Sequence, residues 1–113
     1  MKPIVALALL ITLTAATDLE VLERGRYSCA APGDAMGPAY HSMSEHDFNV
    51  TLGSSYSTEA GKGTYLLTGV SLIFTSGPFK HERFHRTESG LWQAVDKSGN
   101  RKPLSCNRVG PAS

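Results

Sequence analysis

The amino-acid sequence predicts an all-β fold: a small antiparallel barrel or rolled sheet of about seven to eight short strands, closed by one disulfide. Three observations carry this expectation. Apolar residues recur with period two, as in Phe48-x-Val50-x-Leu52 and Val70-x-Leu72-x-Phe74. Glycine, proline and short polar clusters interrupt the chain roughly every 8–12 residues, the spacing of turns between short strands. Cys29 and Cys106, the only cysteines, bracket almost everything that follows an N-terminal leader.

The leader comes first. Lys2 supplies a positive charge, residues 4–13 form an uncharged and mostly apolar run, and Thr14-Ala15-Ala16 offers small residues for a signal peptidase. The run is too short for a membrane-spanning helix, which needs about 20 residues. Residues 1–16 are therefore expected to be a signal peptide, and the mature form is expected to have no membrane span. Residues 17–24 form a lead segment with helical composition, Leu19 and Leu22 standing three apart. Residues 25–113 form the single β domain.

Within that domain the first strand is expected over residues 25–30. Residues 31–46 hold Pro32, Gly33, Gly37 and Pro38 and then a polar stretch, which reads as a long loop without a strand. Residues 40–47 have the composition of a helical turn leading into the next strand, 48–52. A short strand at 54–58 follows. Residues 64–68 and 70–75 are rich in β-branched and aromatic side chains, with Gly69 as a tight turn between them. Ser76-Gly77-Pro78 breaks the pattern, and 79–86 reads as a longer strand. Strands at 91–95 and 104–109 complete the set. Glu88-Ser89-Gly90 precedes the first of these, and the loop 96–100 (Asp-Lys-Ser-Gly-Asn) separates the two.

The cysteines say most about compartment and stability. Two thiols in an exported chain are expected to pair, which places the protein in the periplasm or outside the cell. A bridge from Cys29 to Cys106 closes a loop of roughly 80 residues and stabilises by on the order of 4–5 kcal/mol. It also requires Tyr27-Ser28-Cys29 and Leu104-Ser105-Cys106 to lie on facing strands, so the first and last strands meet.

Composition excludes several function classes. The formal net charge is +1, and loss of Lys2 brings the 11 basic residues level with the 10 acidic ones. Such a chain is not steered toward nucleic acid, although residues 80–86 form a local basic patch. No P-loop or dinucleotide fingerprint is present, and no cofactor is expected. Ser76 sits at a sharp turn, but G-x-S-x-G is absent and Pro78-Phe79 does not start the helix that a nucleophile elbow needs. His81 and His85 are four apart, which spans about 13 Å on a strand, too far for one metal. As a strand, 79–86 places Phe79, His81, Arg83 and His85 on one face and Phe84 on the other. Asn49-Val50-Thr51 fits a glycosylation sequon, with Asn49 turned away from the apolar face.

Two resemblances follow from particular residues. Gly63-Thr64-Tyr65 and Phe74-Thr75-Ser76-Gly77-Pro78, preceded by Tyr56 and flanked by the terminal cysteines, resemble a group of small exported β-rich domains with a G-x-Y…FTSGP core and no assigned activity. Tyr27-x-Cys29, the late Cys106 and a Gly-Tyr strand pair before a turn are similar to the membrane-bound inhibitor of C-type lysozyme family. That similarity implies a disulfide-closed barrel of the bacterial envelope that inserts a loop into the lysozyme cleft. Phe74-Thr75-Ser76-Gly77-Pro78 replaces that family's W-x-K-G type segment, so no inhibitory residue carries over.

The expected function is a non-enzymatic binding module for a protein, glycan or small ligand. The alternative is an inhibitor of a cell-wall-degrading hydrolase such as a lysozyme. Candidate contact residues are Tyr40 and Tyr56, aromatic among polar neighbours, together with His41, Ser76, Lys80 and His81.

Overall fold

The computed structural model describes residues 19–33, 37 and 39–112. The predicted leader, 1–16, lies outside the described residues. The chain forms β1 (Leu19–Glu20), β2 (Gly25–Pro32), β3 (Tyr40–Ser42), β4 (Phe48–Val50), β5 (Ser55–Thr58), β6 (Gly61–Thr68), β7 (Ser71–Phe74), β8 (Arg83–Arg86), β9 (Trp92–Val95) and β10 (Arg101–Gly110). A short 3-10 helix, Ser44–His46, precedes β4.

From β4 onward each strand pairs antiparallel with the next, β10 returns to β2, and β2 pairs with β4. The result is a closed eight-stranded barrel. Two short strands attach to it, β1 on β6 and β3 on the far half of β2. The expected meeting of first and last strands holds, with Cys29 directly opposite Cys106 in the β2–β10 register and a disulfide joining them at a Cα separation of 4.0 Å.

Alternation fills the interior. Tyr27 and Cys29 on β2, Phe48 and Val50 on β4, Leu72 and Phe74 on β7, and Leu104 and Cys106 on β10 are all buried. Every aromatic residue except Tyr40 belongs to this core. Ring centroids lie 4.7 Å apart for Tyr56 and Phe74, 4.9 Å for Tyr27 and Phe48, and 5.3 Å for Phe48 and Phe74. An eight-stranded barrel is just wide enough for side chains to fill it, and here aromatic rings do so. Burial pushes the hydroxyls of Tyr56 and Tyr65 above the usual tyrosine range.

Five expectations need correction. The lead segment is not helical: Leu19–Glu20 is a strand on β6, and Leu22 is buried with its N–H donated to the Tyr65 hydroxyl at 2.8 Å. Tertiary pairing overrides a helical composition too short to nucleate alone. The 31–46 loop contains a strand, because β3 pairs with β2 from Ala30 to Pro32. The turn expected at 40–47 shrinks accordingly to the 3-10 helix Ser44–His46. Leu52 and Val70 are exposed, since the chain has already entered turns there. Residues 79–86 are not one strand: β8 begins only at Arg83, and the preceding turn resets the alternation so that Phe79 and Phe84 are both buried.

The β9–β10 hairpin shows how local chemistry supports the barrel. Asp96 accepts from the backbone N–H groups of Ser98 and Asn100, both at 2.9 Å. The Asn100 bond leads in holding its carboxyl below the usual carboxylate range. Beyond the hairpin the β9–β10 register shifts between Arg101 and Ser105. The Gln93 side-chain amide bridges that irregularity by donating to the carbonyls of Lys102 and Leu104 at 2.7 and 3.0 Å.

Candidate functional site

The strand directions place the C-terminal end of β2, strand β3, and the turns β5–β6, β7–β8 and β9–β10 at one end of the barrel. Most of the sequence-derived candidates gather there.

The β7–β8 turn is built from beneath. Phe79 turns into the barrel, stacking on Tyr56 at 5.6 Å and meeting Phe74 edge-on at 5.5 Å. The Tyr56 hydroxyl donates to the Ser76 carbonyl at 2.7 Å and accepts from the Phe79 N–H at 2.9 Å, so one core side chain holds both sides of the turn. Ser76 Oγ accepts from the Thr64 N–H at 3.0 Å and shares a hydrogen bond with Thr64 Oγ1 at 2.8 Å. Gly63 and Gly77 let two backbones touch. A Cβ on Gly77 would sit 2.6 Å from the Lys62 carbonyl and 2.8 Å from the Tyr56 hydroxyl, and Gly77 also has φ of 88°. The G-x-Y…FTSGP pattern is therefore a structural unit that fastens a turn across the barrel end.

His81 leaves that turn with φ of 78°, the one described non-glycine residue with positive φ. Its N–H donates to the Phe74 carbonyl, while the Phe74 N–H donates to the Glu82 carbonyl, both at 2.9 Å. Two residues thus face one, a bulge at the position where glycine is favoured. Strain of this kind concentrates at functional surfaces.

The turn presents Lys80 and His81 outward. Together with Arg83, Lys97 and Lys102 they line a groove of about 410 Å³ whose floor includes buried Val95. The groove's two acids are engaged elsewhere: Asp96 closes its own hairpin, and Glu82 lies 3.7 Å from His46 Nδ1. None of Lys80, Arg83, Lys97 and Lys102 has an ion pair among the described residues. Four cations against two carboxylates leave the groove electropositive in a chain that is nearly neutral.

The other candidates divide. Tyr40 is 67% exposed on β3 and His41 is exposed beside it, at the same end of the barrel but outside the groove. Tyr56 is 1% exposed and faces the core, so its contribution is to the shape of the turn rather than to the surface. The Ser76 hydroxyl is bonded to Thr64. No group of three or more histidine, cysteine, aspartate and glutamate side chains is arranged to hold a metal among the described residues. Asn49 is half-buried on β4 rather than open. Lys97 and Lys102 escaped the sequence reading because only the β9–β10 register brings them beside Lys80.

Comparison with protein-family models, with curated proteins and with solved structures finds no match. The fold and the site define the class directly: a disulfide-closed eight-stranded antiparallel barrel with an aromatic interior and a lysine-lined end. No helix among the described residues is long and apolar enough to cross a membrane.

Proposed function

We propose that the protein is an exported, non-enzymatic binding module, secreted or periplasmic, whose lysine-lined end holds a partner with an acidic surface. The observation that supports this best is the set of unpaired cations around a turn braced from the core. A contact surface already held in one conformation loses little entropy on binding. Unpaired surface cations act mainly on association rate and register, and their effect is screened by salt.

The test is chromatography of the purified protein on an immobilised acidic polysaccharide and on an immobilised acidic protein. Lys80→Glu, Lys97→Glu and Lys102→Glu combined should lower the eluting salt concentration by about twofold or more on the matching matrix. Arg24→Glu, at the opposite end, should leave it unchanged. Equal elution of the triple variant and the parent would remove the lysine end as the contact surface.

Export has its own measurement. Intact-mass analysis of the protein secreted by its source cells should show a first residue near Thr17 and the loss of two hydrogens for the disulfide. A chain that begins at Met1 with two alkylatable thiols would overturn the reading.

The second reading is an inhibitor of a cell-wall-degrading hydrolase such as a lysozyme. The observation in its favour is the same braced turn, which offers Pro78, Lys80 and His81 outward on a fixed backbone. Loss of hydrolase activity in the complex, as opposed to binding alone, separates the two readings.

A further inference from the structure

The opposite mouth of the barrel breaks the pattern that fills the interior. On β8, buried Phe84 faces inward, and Arg86, two residues on, shares its side of the strand. On β10, Leu104 and Cys106 face inward, and Arg108 follows in the same phase. The last inward positions of two strands are thus arginines, and each stands directly opposite an aromatic residue: Arg86 opposite Trp92, and Arg108 opposite Tyr27. They border a cavity of about 310 Å³ with Leu67 and Leu22 among its walls and Glu20 and Glu23 at its rim.

The two guanidinium groups differ in their partners. Arg108 donates through Nε to the Arg24 carbonyl at 2.6 Å and lies 3.8 Å from a Glu23 carboxylate oxygen. The Arg86 side chain has no hydrogen bond or ion pair among the described residues. The Tyr27 hydroxyl responds to both. Burial, then Glu23 and Tyr65, push it up to about 12, while Arg108 and Arg86 act in the opposite direction.

We propose that this mouth is a second binding site, independent of the lysine-lined end, for a small monocarboxylate with a flat or ring-shaped body. Its carboxylate sits on the Arg86 guanidinium and its body against Val21 and the edge of Trp92. A guanidinium fork matches a carboxylate in geometry, and the edge of the largely buried Trp92 indole, together with exposed Val21, offers apolar contact within the same cavity. The volume is at the small end of the usual range for ligand pockets, roughly 300–1,000 Å³. Glu20 and Glu23 set the charge: a ligand with a second negative charge meets two carboxylates at the rim, and the site selects against it. Aromatic acids and uronic acids share the required chemistry.

The chain has a single tryptophan, so its indole N–H signal in a proton–nitrogen correlation spectrum reports on this site alone. The purified protein is titrated with benzoate, with glucuronate and, as a charge-only probe, with inorganic phosphate. A saturable shift of that signal with benzoate or glucuronate is expected, and the probe that gives it identifies the source. Arg86→Gln should weaken the binding by about tenfold or more, the usual loss for a hydrogen bond to a charged group. Lys62→Gln, exposed at the start of β6 at the other end of the barrel, should leave it unchanged. No saturable shift with either acid, equal affinity in Arg86→Gln, or phosphate binding as tightly as the acids would overturn the proposal.

Discussion

Replacing both bridge cysteines, Cys29→Ala with Cys106→Ala, should destabilise the protein by about 4–5 kcal/mol in the chain-entropy model. The reason is topological. The two residues are 77 apart in sequence, yet they face each other across the seam where the first and last barrel strands pair. Without the bridge, the unfolded chain regains the freedom of almost the whole domain, and folding must bring its two ends together unaided. Both residues are also buried, at 0% and 1% exposure, so the shorter alanine side chains leave space in the core. A domain of this size has a total stability of roughly 5–15 kcal/mol, which makes the bridge a large share. The melting temperature by calorimetry should fall by on the order of 20–30 °C. A fall of a few degrees would mean that the β2–β10 ladder alone holds the seam.

The second large effect is expected from a single methyl group. Gly63→Ala places a Cβ inside the contact radius of the Ser76 carbonyl oxygen and 2.7 Å from the Tyr56 ring. Neither neighbour is a flexible side-chain end: one is backbone, and the other is a core ring hydrogen-bonded to that same backbone. The turn must lift away from β6, which breaks the Thr64–Ser76 bonds and withdraws Phe79 from the core. A loss of about 3–4 kcal/mol is expected, at the upper end of overpacking effects. Denaturant unfolding measures it. Gly37→Ala is the control, since among the described residues no atom beyond its chain neighbours lies within 4 Å of its Cβ position. Gly63→Ala should also weaken any contact made through Lys80 and His81 in protein that still folds, because their backbone rests on the displaced turn. Unfolding of Gly63→Ala at the parent's midpoint would show that the two backbones do not meet.

These two predictions mark what was legible in the sequence and what was not. Period-two alternation at Phe48-x-Val50 and Leu72-x-Phe74 reflects a face that must be buried, a local property that survives folding unchanged. The cysteine pair likewise states a distance constraint outright. Turn positions were harder to read. Nothing local distinguishes residues 79–81 from the strand that follows, because the bend there depends on a hydroxyl donated by Tyr56 from another strand. Tyr56 stood as a candidate contact only because its sequence neighbours are polar, as befits a strand with one wet face, and it packs in the core. Lys97 and Lys102 belong to the groove only through cross-strand register. The arginines of the opposite mouth were visible in principle, since Phe84-x-Arg86 and Cys106-x-Arg108 continue the inward phase. Their meaning required knowing that both strands end at the same mouth.

The seam that joins β10 to β2 has a further consequence. A sheet that closes on itself leaves no long row of unpaired amide and carbonyl groups at a border, which is where chains add to one another strand by strand. Among the described residues, the appended strands β1, of two residues, and β3, of three, each leave a side open, and both are too brief to template such growth. Charge repulsion cannot keep copies apart in a chain whose net charge is only +1. Ring closure supplies that protection instead, so a break at Cys29–Cys106 should favour self-assembly as well as unfolding.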